Sequence, residues 1–77
     1  MNEVEEVILQ SILSQNGLNE DEFDIHSSFA DNGIESIDMV ETFIDIEDEL
    51  GIELDFQEIN VYEDNFYTLV QYVESKL

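Results

Sequence analysis

Apolar residues recur three or four positions apart in three separate stretches of this chain, and that spacing leaves little choice of secondary structure. In the first stretch Val4, Ile8 and Ile12 fall four apart, with Leu9 and Leu13 widening the face. In the second, Met39, Phe43, Ile46 and Leu50 lie within roughly 60° of one another on a helical wheel. The third carries Phe66, Leu69, Val70, Val73 and Leu77. Strand-like alternation appears only in "GIELDF", and a lone strand would find no partner. The spacing predicts an all-α fold, a small bundle of three main helices plus one short helix.

Local signals set the boundaries. Asn2 followed by Glu5 reads as a capping box opening the first helix, and Gly17 as its stop. The connection from Leu18 to Glu35 is too long for a structureless loop in so small a chain. Phe23, Ile25 and Phe29 are expected to pin it to the core, with "NEDE" forming one helical turn. The second helix is expected over Ser36–Leu50, stopped by Gly51. "DFQE", Asp55–Glu58, repeats the capping-box pattern and predicts the short third helix. The last helix is expected over Asn65–Lys76. With no internal repeat or proline-rich linker, residues 1–77 read as a single small domain, and the opening Met suggests a small free-standing protein.

Charge narrows the function classes. The net charge is −20, with Lys76 the only base, and such an excess works against compaction. A hydrophobic fraction of 43% in periodic register argues against a disordered acidic chain. Without cysteine there is no disulfide, thiolate zinc site or thiol nucleophile. No apolar run is long enough to span a membrane. The start is acidic where a signal peptide needs bases, so a cytoplasmic location is expected. The surface would repel nucleic acid and anionic membranes. A monomer with basic protein partners is expected, and cations would gather at the acidic clusters only as screening.

Two other classes fare poorly. An EF-hand loop needs acids at its first positions, but registers centred on Gly33, Gly17 and Gly51 put Ser28, Ile12 and Ile46 first, so no metal site is expected. An enzyme is not expected either. His26 is the only imidazole, it reads as a loop residue, and a bundle this small offers little cavity.

The second helix holds more apolar arc than one packed face needs. Ile37, Val40 and Ile44 extend it beyond the core residues, and Asp38, Glu41, Asp45 and Asp48 edge the extension. Glu41–Asp45 and Asp45–Glu49 are like charges four apart, each pair destabilising by about 0.2–0.5 kcal/mol. Acids also crowd the C-terminal end, where the helix dipole disfavours them. Stability alone would not select this pattern. A docking surface for basic partners would, because complementary charge raises encounter rates while the apolar stripe supplies contact. At the other end stands Ser36, in a position suited to capping or to carrying a phosphodiester at the helix N-terminus.

The run "FADNGIESIDMVETFIDIEDELGIE", with its serine at the loop-to-helix corner and acidic cluster before Gly-Ile, resembles the acyl carrier protein family. The resemblance covers essentially the whole chain. Glu35 stands where the family usually has Asp, and Ile37 where it usually has Leu or Met. The resemblance implies that Ser36, with Glu35 beside it, is the attachment site of 4′-phosphopantetheine, transferred from coenzyme A by a phosphopantetheinyl transferase. It implies a non-catalytic shuttle that holds cargo as a thioester. Its partners would be basic-surfaced loading and processing enzymes that read Ile37, Asp38, Val40, Glu41, Ile44, Asp45 and Asp48. A single glycine before the serine looks more like the acyl type of fatty-acid or polyketide pathways than the peptidyl type. An aminoacyl or peptidyl carrier of a nonribosomal peptide pathway is the alternative, and an unloaded acidic docking module a further one.

Overall fold

The computed structural model describes all 77 residues and is entirely helical. Helix α1 spans Glu3–Asn16, α2 spans Ser36–Leu50 and α3 spans Phe66–Glu74. One 3₁₀ turn, Glu20–Glu22, lies in the first connection, and a second, Phe56–Glu58, precedes α3. The expected all-α bundle is what the chain forms, its short third helix reduced to a single 3₁₀ turn.

The helix ends follow the local chemistry. The Asn2 side chain accepts the Glu5 N–H at 2.8 Å, and Glu5 accepts the Asn2 N–H at 3.2 Å, which completes the capping box. Gly17 and Gly51 close α1 and α2 in the left-handed conformation, which costs glycine no side-chain clash. Asn65 caps α3 by accepting the Thr68 N–H. That helix is shorter than its apolar stripe suggested. Leu77 lies beyond its end and is exposed, so the buried stripe stops at Val73.

Helix α1 packs on both α2 and α3. Ile8, Ile12, Met39, Ile46, Phe66, Leu69 and Val73 are sealed from solvent between them, each large side chain contributing about 1.5–3 kcal/mol of burial free energy. The long connection is pinned as expected by Phe23 and Phe29, with Ile25 partly buried. Ile34, Ile59 and Val61 also enter the core from the loops. The α1–α2 contact carries a polar seam: Ser11 donates to Asp45 at 2.6 Å, and Asn16 Nδ2 reaches Thr42 Oγ1 at 3.3 Å.

The "DFQE" box does not close. Asp55 accepts the Gln57 N–H, but its own N–H donates to the Tyr72 hydroxyl at 2.7 Å rather than to Glu58. Tyr72 also donates toward Glu58, and Lys76 pairs with the same carboxylate at 3.7 Å. The lone base thus lies just past the end of α3, against the second 3₁₀ turn.

Candidate functional site

The chain turns into α2 through three residues of different kinds. Gly33 has φ +78°, a left-handed value that L side chains tolerate poorly. Ile34 is buried and anchors the turn. Glu35 is extended and serves as the N-terminal cap residue, yet its side chain makes no capping bond. Ser36 is therefore the first residue inside the helix and not its cap. The first N–H groups to find carbonyls are those of Asp38 and Met39, both on the Glu35 oxygen. The N–H groups before them are left facing outward at the positive end of the helix dipole.

The six serines separate cleanly by what their hydroxyls do. Ser11 donates to Asp45, Ser14 to the Ser11 carbonyl, Ser27 to Asp24 and Ser75 to the Tyr72 carbonyl. Ser28 accepts the Asp31 N–H. Ser36 alone is exposed with no partner inside the protein.

Two open grooves meet at Ser36. One, of about 530 Å³, runs between the Gly33–Ile37 corner and the turn before α3, with Ala30, Ile34, Ile37, Val61 and Tyr62 supplying its apolar lining. The other, of about 300 Å³, passes along Phe56, Gln57, Ile59 and Asn60. Tyr62 borders both. The turn that displays Tyr62 is tightly built. Its N–H donates to Asn60 Oδ1 at 2.9 Å, the Asn60 N–H donates to Asp64 Oδ2 at 2.8 Å, and the Ala30 N–H donates to the Val61 carbonyl at 2.9 Å.

Along α2 the apolar extension lies outside the core. Ile37 is 68% exposed, Ile44 52% and Val40 39%. Glu41 and Asp48 are exposed beside them, and Asp38 is half-buried in the first turn. Asp45 departs from the expected pattern. It is half-buried and accepts the Ser11 hydroxyl, so part of its carboxylate faces α1 rather than a partner. A serine at an otherwise apolar position of α1 was the sequence signal for this pairing. The grooves beside Ser36 had none, because Ala30, Val61 and Tyr62 come from loops without periodicity.

The remaining candidates stay apart from Ser36. His26 sits exposed in the first connection with its ring against Tyr67, centroids 5.7 Å apart. Asp24 folds a turn there. The His26 backbone N–H, first, and the Ser27 hydroxyl hold its carboxyl below the usual aspartate value. No group of three acidic or imidazole side chains is arranged to hold a metal ion. No helix is long and apolar enough to cross a membrane.

A family model described as the phosphopantetheine attachment site matches residues 6–73. No curated protein and no solved structure gives a significant match.

Proposed function

This chain belongs to the phosphopantetheine attachment-site family, and on that premise we propose that Ser36 bears the arm and that the protein carries acyl intermediates on it. The family's prosthetic group is 4′-phosphopantetheine, so the protein is a phosphopantetheine carrier. The observation that carries the assignment to Ser36 is its hydroxyl, exposed and without an internal partner while every other serine is engaged. The residues around it fit a phosphodiester. Outward N–H groups at the start of α2 suit an anion, and the uncapped end leaves them unobstructed.

Loading forms a bond from Ser36 Oγ to the pantetheine-bearing phosphorus of coenzyme A and breaks the pyrophosphate bond. The adenosine bisphosphate leaves, and the serine proton passes to a base on the transferase. When bound, the arm supplies a thiol that holds cargo as a thioester. The chain's own residues supply the address. Ile37, Val40 and Ile44 offer apolar contact beside Asp38, Glu41 and Asp48, a surface complementary to basic transferases and acyl-processing enzymes. On this reading the protein is a shuttle and not a catalyst. The run of Gly33, Ile34 and Glu35 before the serine supports the acyl type.

The test is intact mass after incubation with coenzyme A and a broad-specificity phosphopantetheinyl transferase. One added phosphopantetheine is expected on the parent and none on Ser36→Ala. Addition to both proteins would remove Ser36 from the role.

A further inference from the structure

Asn-Gly occurs twice in the chain, at Asn16–Gly17 and Asn32–Gly33. Asparagine is a thermolabile residue, and a following glycine has no side chain to shield its nitrogen from the asparagine's own amide. The fold treats the two pairs differently. Asn16 closes α1, and its amide donates to the Ile12 carbonyl at 2.8 Å and to Thr42 on α2 at 3.3 Å. The Gly17 and Leu18 N–H groups both end on the Leu13 carbonyl. Freeing this pair means unwinding the end of α1 from a sealed seam, because Thr42 is fully buried. Asn32 lies outside any helix. Its Oδ1 accepts the Asp24 N–H at 2.8 Å, and its Nδ2 donates to the Asp24 and Ser28 carbonyls at 3.0 and 2.9 Å. The Gly33 N–H rests on the Ala30 carbonyl at 2.9 Å. All of these partners belong to the same connection, so they part together when that segment alone opens. Local opening of this kind costs less than global unfolding.

We propose that Asn32–Gly33 is a modification site, a self-deamidating pair whose pace is set by how often the first connection opens. In the open segment the Gly33 nitrogen attacks Asn32 Cγ. The new N–Cγ bond forms, the Cγ–Nδ2 bond breaks, and the glycine proton passes through water to the departing ammonia. Water then adds to the cyclic imide and opens it to aspartate or isoaspartate, releasing a proton to solvent. Either product places a carboxylate where the amide donor stood, against the Asp24 and Ser28 carbonyls. It still accepts the Asp24 N–H but has nothing to donate to those two oxygens. Isoaspartate also routes the backbone through an extra carbon just before the left-handed turn at Gly33. The segment cannot reclose as before, and the corner that leads into Ser36 is loosened. The deamidation stands independently of what Ser36 carries, whereas its consequence for loading rests on attachment at Ser36.

The test is to incubate the full chain at mildly alkaline pH and follow each asparagine by digestion and tandem mass spectrometry that separates aspartate from isoaspartate. Asp24→Ala is run alongside. It removes the carboxylate that accepts the His26 N–H and the Ser27 hydroxyl, and it leaves the Asn32–Gly33 pair in place. Conversion is expected severalfold faster at Asn32 than at Asn16. Asp24→Ala should quicken it severalfold at Asn32 and leave Asn16 unchanged. Equal rates at the two pairs, conversion at Asn16 first, or a rate at Asn32 unmoved by Asp24→Ala would overturn the proposal. So would an Asn32 that stays intact in the folded chain while the urea-unfolded chain converts. For the consequence, Asn32→Asp stands in for one product, with its fold verified by circular dichroism. It should accept phosphopantetheine severalfold more slowly than the parent, while Gln71→Glu, which adds the same charge on the exposed side of α3, should load at the parent rate. Loading of Asn32→Asp at the parent rate would overturn the consequence. A parent that never loads would sink the attachment reading and leave the deamidation result standing, so the two failures are distinguishable.

Discussion

Replacing Ser11 with alanine isolates the one charged group that ties α1 to α2. Ser11 is 2% exposed, and its hydroxyl donates to Asp45 Oδ2 at 2.6 Å. Hydrogen bonds to charged partners contribute about 1.5–3 kcal/mol. Asp45 is only half-buried, so water can replace the lost donor and the cost should fall at the low end, about 1.5 kcal/mol. For a domain of this size that corresponds to a drop in Tm of about 6–12 °C. Urea unfolding at neutral pH and moderate salt should show a lower midpoint with an unchanged slope. Ser14→Ala is the control, because Ser14 is exposed and bonds only a carbonyl of its own helix; it should stay within about 0.5 kcal/mol. Asp45→Asn keeps an acceptor for Ser11 and relieves repulsion with Glu41 and Glu49, so it should cost less than Ser11→Ala. If Ser11→Ala proved as harmless as Ser14→Ala, the Ser11–Asp45 bond would contribute nothing and the reasoning would fail.

Other expectations follow from charge and backbone. Raising sodium chloride should raise Tm, since a net charge of −20 repels itself and salt screens it; a flat or falling Tm would contradict this. Gly33→Ala should destabilise by about 1–2 kcal/mol through its left-handed conformation alone, because a Cβ there meets nothing within 4 Å; chemical denaturation checks this. Asp48→Lys should slow association with a basic transferase at low salt and leave stability within about 0.5 kcal/mol, read by stopped-flow binding and thermal melts. The Asp24 carboxyl should titrate below its ordinary value of 3.8. Because the folded form is the more acidic, the turn's contribution is present above that value. It is lost as pH falls through the lower folded one, which amide exchange over residues 24–32 would report.

Much of this architecture was legible in the sequence, for identifiable reasons. Each long helix carries a strong periodic face, and Asn2, Gly17, Gly51 and Asn65 act within a few residues of themselves. The α2 boundaries, Ser36–Leu50, therefore came out as expected. Less legible was whatever depends on residues distant in sequence. The Tyr72 hydroxyl takes the Asp55 N–H from 17 residues away, which no local pattern announces, and it opens the expected box. Asp45 looked free on a helical wheel because the wheel does not show Ser11. Ser36 looked like a cap because serine usually is one, and only the backbone reveals that Glu35 holds that position. Ile59, Val61 and Tyr62 reach the core and the groove through loop geometry, to which periodicity is blind.

The most direct measurement is to locate the added group on the loaded protein. After transferase treatment, digestion with a glutamate-specific protease and tandem mass spectrometry should place one phosphopantetheine on a fragment containing Ser36, with the other five serines unmodified. Modification at any of those five, or a folded chain that several transferases leave unmodified, would contradict the assignment of Ser36 as the carrier residue.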